Sequence, residues 1–352
     1  MLAVRYYRLL KRSFGMKDIH LFAGANSAQG FCSHYQYLAM DSFKRVYILK
    51  GGPGTGKSTI IKEVARQIHF PLEKYHCTAD AKSLDGLYIP ALQVSILDGT
   101  APHTIDPRLP GAVQQTVDLG SCWDYKALAA RRQQIQELTT EISELYQIAY
   151  RWLAVAAGLA DLVQELERHR DVEVQAQDCL AKILPIIPEK PQGIKRKAFA
   201  SGLTSKGIVS FLPGLKAKSS IGLTGGNRAF NSQVLGEIAR ALKLRQIPAI
   251  YLYCGFQPKY LEHIYIPGEF ALFSSHPPHV VWTADVTFGP DYRGPSELEA
   301  QSLFYMDKAV NNIAAAAKLH AELEACYNPH MNYQLVAELR KRIADEIADL
   351  NP

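Results

Sequence analysis

The 352-residue chain has no C-x-x-C pair and no Cys/His group at zinc-ligand spacing; its six cysteines, Cys32, Cys77, Cys122, Cys179, Cys254 and Cys326, stand far apart. A zinc module and a disulfide framework are thereby excluded, and a reducing, cytoplasmic setting is expected. Long apolar runs are missing too. The most apolar stretch, Ala154–Ala160, falls far short of the roughly 20 residues that cross a bilayer, and the basic first residues lack an apolar core of signal-peptide length. Neither export nor membrane insertion is expected. Charge of one sign does not dominate: 39 Lys and Arg against 34 Asp and Glu leave +5. The basic clusters Arg5–Arg12 and Lys195–Lys197 read as solvated surface, with nucleic acid or anionic lipid as a weaker alternative. Low-complexity tracts are also absent. With 47% hydrophobic and 21% charged residues, and 24 Gly and 19 Pro spread along the chain, disordered and collagen-like classes are excluded. The length suits about two domains.

What the chain does contain is a phosphate-binding signature. Residues 46–59 read VYILKGGPGTGKST, an apolar β-rich run, a glycine-rich turn and the start of an amphipathic helix pattern reaching about His69. The G-x-x-x-x-G-K-[ST] pattern is complete at Gly51, Gly56, Lys57 and Ser58. Glycines let the backbone curl and aim successive N–H groups at one point, where the positive end of the following helix adds its partial charge. The expected phosphate-binding residues are Gly51, Gly52, Pro53, Gly54, Thr55, Gly56, Lys57, Ser58 and Thr59. Lys57 would reach the β/γ-phosphates, Ser58 would take one Mg²⁺ position and Thr59 would lie nearest the α-phosphate.

Gly51–Thr59 resembles the Walker A loop of P-loop NTPases without departure. The resemblance implies ATP and Mg²⁺ as ligands, and an acidic partner at the end of an apolar strand beside the loop. Gln93–Asp98 (QVSILD) fits, which makes Ser58 and Asp98 the expected metal-holding pair. Two departures narrow the reading. Gly99 stands where many ATPases of the superfamily carry a water-polarising Glu, and no N-K-x-D guanine-reading motif occurs, which favours ATP over GTP.

Residues 22–103 recur, in order and with small gaps, at 199–279. Phe22-Ala23 answers to Phe199-Ala200, Gly51-Gly52 to Gly225-Gly226, Glu63–Arg66 (EVAR) to Glu237–Arg240 (EIAR), and Tyr88–Pro90 to Tyr265–Pro267. The second loop, TGGNRAFNS at 224–232, puts Phe230 in place of Gly56 and Asn231 in place of Lys57, while Ser274 replaces Asp98. Only the first half is therefore expected to bind Mg·nucleotide. Asp80, just past a strand expected at Leu72–Cys77, becomes Gln257, whereas Asp85 becomes Glu262 and His103 stays as His279. Asp80 is thus the candidate for orienting water or a substrate hydroxyl, against the plainer reading of a solvated turn residue. His103 and the retained segment Phe22–Phe31 (FAGANSAQGF) read as structural.

Between the halves the apolar period changes. Leu128, Ile135, Ile142, Ala149, Ala156 and Val163 fall seven apart, and Leu138, Leu145, Trp152, Leu159 and Leu166 form a second seam, an a/d heptad over about five repeats that Gly158 could interrupt. A turn at His169–Asp171, a helix Val172–Leu184 and a proline-rich linker Leu184–Gln192 follow. The second copy offers Leu303, Met306, Val310, Ile313, Ala317 and His320, a turn at Asn328-Pro329 and a last helix Tyr333–Leu350. These helical hairpins would pack on each other, on the sheets, or against a partner or second copy.

The expected organisation is an extension (1–17), a P-loop domain (18–123), a helical hairpin (124–185), a linker (186–197), a degenerate P-loop-like domain (198–294) and a second hairpin (295–352). The expected fold class is α/β, a duplicated P-loop-type, mostly parallel sheet with a long helical hairpin after each copy. The two-repeat layout is similar, over most of the chain, to bacterial P-loop ATPase-like proteins. The expected activity is Mg-dependent ATP hydrolysis in the first half. The alternatives are a small-molecule or nucleotide kinase and a nucleotide-dependent scaffold with slow turnover.

Overall fold

The structure, a computed structural model, describes residues 18–166, 172–187, 193–224, 227–274, 284–287 and 296–350. The extension 1–17, the turn at His169–Asp171, part of the linker, Gly225-Gly226 and His279 lie outside the described residues.

The first half runs β1 (Ile19–Phe22), a hairpin of β2 (Gly24–Ser27) and β3 (Gly30–Ser33), then β4 (Arg45–Lys50), β5 (Glu73–His76), β6 (Leu84–Ile89), β7 (Val94–Asp98) and β8 (Gln114–Asp118). The second runs β9 (Arg196–Phe199), a hairpin of β10 (Ser201–Thr204) and β11 (Gly207–Ser210), then β12 (Ala217–Thr224), β13 (Ile250–Tyr253), β14 (Leu261–Ile266), β15 (Gly268–Phe273) and β16 (Ala284–Thr287). From β1 outward the order is β1-β5-β6-β7-β4-β8, and from β9 outward it is β9-β13-β14-β15-β12-β16. β1 pairs antiparallel with β9 through Phe22 and Phe199, which makes one 12-stranded sheet with mirrored strand order.

An α/β chain with a mostly parallel sheet is what the sequence leads one to expect, and among the described residues the sheet is mixed, with parallel pairings in a narrow majority. Six of its eleven pairings are parallel and five antiparallel. The reason is connection length. Only residues 77–83 separate β5 from β6, 90–93 separate β6 from β7, and Pro267 alone separates β14 from β15. A parallel crossover needs a dozen or more residues, so these strands turn back as meanders. β4 lies between β7 and β8, parallel to both, and Val46 to Leu49 are wholly buried, as a strand covered on both faces requires.

Seven α-helices are described: α1 (Lys57–Gln67), α2 (Tyr125–Ala130), α3 (Arg132–Leu166), α4 (Val172–Ile183), α5 (Arg228–Leu244), α6 (Ser296–Tyr327) and α7 (Tyr333–Asp349). α3 and α6 pack antiparallel. Leu138 meets Leu323 and Cys326 near one end, and Ala149, Leu153 and Ala156 meet Met306, Ala309 and Ile313 toward the other. The heptad runs through Gly158 without a break, but its expected first position, Leu128, lies on α2, because the chain leaves helical geometry at Arg131. In α6 the buried seam uses Ala309 and Ala316, while Leu303 and His320 are exposed; small side chains there let the helices approach closely.

The last helix of each hairpin covers the opposite half. α4 brings Ala176, Cys179 and Ile183 into the core formed by Val234, Leu235 and Ile238 of α5. α7 brings Val336, Ile343 and Ile347 into the core formed by Ile60, Ile61 and Val64 of α1. All six cysteines are free thiols. Among the described residues no helix is long and apolar enough to cross a membrane.

Candidate functional site

The apolar strand β4 delivers the chain at Lys50 to a loop that turns into α1. Gly54 (φ +68°) and Gly56 (φ +84°) hold left-handed backbone that disfavours any side chain, and Gly56 is the N-cap of α1. Thr55 Oγ1 donates to Gly52 O at 2.9 Å and ties the loop across itself. Lys57 folds back over it: Nζ donates to Gly51 O at 2.7 Å and Gly52 O at 2.8 Å, and lies 3.5 Å from Asp98 Oδ2. Both side chains of that pair are only 12% exposed, so water screens it weakly. Among the described residues, no protein acceptor takes the backbone N–H groups of Gly54 to Thr59. The loop therefore presents a row of free donors and a fixed cation at a helix N-terminus.

Asp98 ends β7, in register with Leu49 of β4, so its carboxylate arrives beside the loop. Thr100 saturates one of its oxygens, donating to Oδ1 from N (2.9 Å) and Oγ1 (2.5 Å), and Oδ2 faces Lys57. Ser58 Oγ accepts the N–H of Leu84 at 3.0 Å and binds α1 to β6. Asp80 lies elsewhere in its bonding. Its carboxylate accepts from Lys82 N (3.1 Å) and Ser83 Oγ (2.9 Å), capping its own exposed turn, and among the described residues no hydrogen bond or ion pair joins it to Lys57 or Asp98.

Two groups of residues to which the sequence reading gives no part in the site lie beside it, the first because it reads as structural. Behind Asp98 lies a buried network. Tyr35 OH donates to Asp85 Oδ2 at 3.1 Å, His103 Nε2 stands 3.6 Å from that oxygen, and His103 Nδ1 lies 3.0 Å from Asp98 O. Burial pushes the His103 imidazole toward neutrality, but the Asp85 carboxylate outweighs it and raises the pKa. Burial likewise pushes Asp85 up, and hydrogen bonds from His103, Cys77 and Tyr35 overcome it and hold the carboxyl below its usual value. Asp85, Asp98 and His103 come within 4.8 Å of one another, yet their polar atoms already serve each other, Tyr35 and Thr100. The group reads as a polar support for the end of β7.

The second group comes from the far end of the chain. A Cβ on Gly52 would lie 3.2 Å from the Trp123 ring and 3.6 Å from Tyr327, and one on Gly54 would lie 2.2 Å from the Asn328 amide. The turn between α6 and α7 thus sits against the loop. It is anchored by Asp124 N donating to His330 O (2.9 Å) and Asn332 N donating to Cys122 O (2.8 Å).

The described residues of the corresponding stretch in the second half, from Asn227 on, bond and pack within the protein. Phe230 joins the apolar core. Arg228 donates to Gln257 Oε1 at 3.0 Å and stands 3.5 Å from Glu262; Gln257 Nε2 donates to Asp161 Oδ1 at 2.9 Å. Ser232 Oγ accepts Leu261 N–H at 2.8 Å, the counterpart of the Ser58–Leu84 bond.

Comparison with protein-family models, curated proteins and solved structures finds no match to this chain.

Proposed function

We propose that the N-terminal half binds a magnesium nucleoside triphosphate, with ATP preferred, and hydrolyses it. The C-terminal half is read as a degenerate copy of the same P-loop-type layout that has lost nucleotide binding. The observation that carries the reading is the row of unpartnered N–H groups from Gly54 to Thr59 beside Lys57 and Asp98. A polyanion fits donors and a cation gathered at a helix N-terminus, and little else does.

Ser58 and Asp98 would hold the metal shell, and the bound Mg²⁺ would neutralise charge on the phosphates. The chain's own part is positioning and electrostatics. Backbone N–H groups orient the phosphates, Lys57 contributes its charge to the transferring group, and the 12% exposure of Lys57 and Asp98 keeps that field strong. Asp80 orients water or an acceptor hydroxyl only after releasing Lys82 and Ser83. One observation favours transfer to an acceptor over hydrolysis: Gly99 stands where a water-polarising Glu would, and Thr100 occupies one oxygen of the adjacent carboxylate.

The test is phosphate release from ATP and equilibrium binding of a fluorescent ATP analogue, with Mg²⁺, for the native chain and Lys57→Ala. Steady release that the substitution abolishes supports hydrolysis. Binding without release, with label appearing on an added acceptor, moves the reading to a kinase. No binding by the native chain overturns it.

A further inference from the structure

We propose that Asn328 and Tyr333, from the C-terminal half, are positioning residues for the phosphate-binding loop, so that nucleotide binding in one half is coupled to the helical hairpin of the other. The inference rests on the nucleotide reading of the loop. With its amide nitrogen facing the acceptors, Asn328 donates to Gly54 O at 3.1 Å and to Glu324 O at 3.3 Å, and Tyr333 OH donates to Gly54 O at 3.4 Å. The Gly54 carbonyl and the Thr55 N–H belong to one trans peptide and point in opposite directions. Two donors that hold the carboxyl-side oxygen of Gly54 toward the hairpin therefore turn the Thr55 N–H toward the loop interior, where a phosphate would accept it.

The contact depends on the loop glycine. At Gly54, with φ +68°, a Cβ would strike the Asn328 amide at 2.2 Å, so the close approach depends on glycine. The hairpin is also held firmly enough to transmit a shift. Val336 of α7 lies 3.5 Å from where a Cβ of Gly56 would be, Ile343 and Ile347 share a core with α1, and Tyr47 OH donates to Glu346 Oε2 at 2.9 Å. From the same turn α6 runs back along α3, whose Asp161 accepts from Gln257 of the second half. A loop that tightens on a polyphosphate pulls on a turn that connects to both halves.

The experiment measures the Kd of Mg·ATP analogue and hydrogen exchange at residues 327–335 in the native chain, Asn328→Asp, Tyr333→Phe and Lys57→Ala. Asn328→Asp keeps shape, removes the donor and adds a negative charge beside the polyphosphate, so at least about 5-fold weaker binding is expected, and Tyr333→Phe, which leaves the charge unchanged, reads the hydrogen bond alone. Tyr333→Phe keeps the ring and predicts about 2- to 5-fold on the same basis. Nucleotide should slow exchange at 327–335 in the native chain and leave Lys57→Ala unchanged. If the native chain binds while both variants stay within 2-fold and exchange at the turn does not respond, the inference is overturned and the nucleotide reading stands. If the native chain does not bind, the nucleotide reading itself has failed. Should Asn328→Asp not fold, Tyr333→Phe and the exchange measurement decide.

Discussion

Glu73 and Arg196 form a buried ion pair at the seam between the two half-sheets, and its removal should be among the most damaging single changes in the chain. The seam has little backbone bonding of its own, since β1 and β9 are in register only at Phe22 and Phe199. Arg196 Nη2 lies 2.5 Å from Glu73 Oε1, with the side chains 4% and 2% exposed. Tyr75 OH donates to the other carboxylate oxygen at 2.9 Å, and the guanidinium stacks 4.5 Å from the centre of the Tyr88 ring. Deleting one member leaves the other charge buried without a counter-ion, which typically costs about 3–5 kcal/mol. Against a usual total of about 5–15 kcal/mol, that is a large share. The assay is guanidinium unfolding of Glu73→Gln, Arg196→Met and the double variant. Each single change should lose about 3–5 kcal/mol, and the double should lose clearly less than their sum, because no lone charge remains. Burial predicts that the coupling survives high salt. Single losses below about 1 kcal/mol, the range of exposed pairs, or coupling that vanishes with salt, would refute the reasoning.

Two further outcomes follow from backbone and burial. Gly54→Ala should destabilise by at least about 1–2 kcal/mol from its left-handed φ alone and should weaken nucleotide binding, while Gly158→Ala, mid-helix with open space around it, should stabilise by about 0.5–1 kcal/mol; thermal melts giving both the same sign would contradict this. Burial holds His34, His76 and His263 down to about 4 and lowers His20 as well. Between about 6.5 and 4 the unfolded chain then takes up protons that the folded chain refuses, and stability falls as pH drops through that window. His103, raised by Asp85, acts in the opposite sense: its contribution is present below about 6.5 and is lost as pH rises through its folded value. Three strongly lowered groups outweigh one raised group, so denaturation midpoints should decline from pH 7 to 4.5, and a flat profile would sink the assignment.

How much of this was legible in the sequence depends on how local each feature is. The glycine-rich loop, the buried run Val46–Leu49 and the face of α1 are written in consecutive residues, and each is found where its pattern places it. Asp98 was legible for the same reason, since a strand and its terminal carboxylate are contiguous. The antiparallel meander β5-β6-β7 was missed although its signal, connections too short for a crossover, was available at 77–83 and 90–93. Asp85 and His103 rank below Asp80 in the sequence because both positions are matched by polar residues in the second half, Glu262 and His279; their contact and their place behind Asp98 appear only when the loop after β7 folds back. Asn328 was legible as a turn, but 274 residues separate it from Gly54, and no periodicity reports which half a hairpin will cover.

The mirrored arrangement also separates what the fold needs from what the chemistry needs. The hairpin tips reach across the seam in both directions: Ala28 N donates to Phe256 O at 3.0 Å, Asn26 Nδ2 to Leu203 O at 3.0 Å, and Ser205 Oγ to Ala79 O at 2.9 Å. Ser58 and Ser232 both accept a strand N–H, from Leu84 and Leu261, although only the first lies in a complete phosphate-binding motif. The serine hydroxyl therefore has a structural duty in both halves, whereas Asn231 stands at the position that matches Lys57 in the sequence. It follows that Ser58→Ala would confound a lost helix-to-strand bond with a lost metal position, whereas the polar partners of Lys57 among the described residues are the loop carbonyls and Asp98. Lys57→Ala breaks no helix-to-strand bond, but it leaves the weakly screened Asp98 carboxylate without its cation, so a melt of the variant has to accompany its turnover.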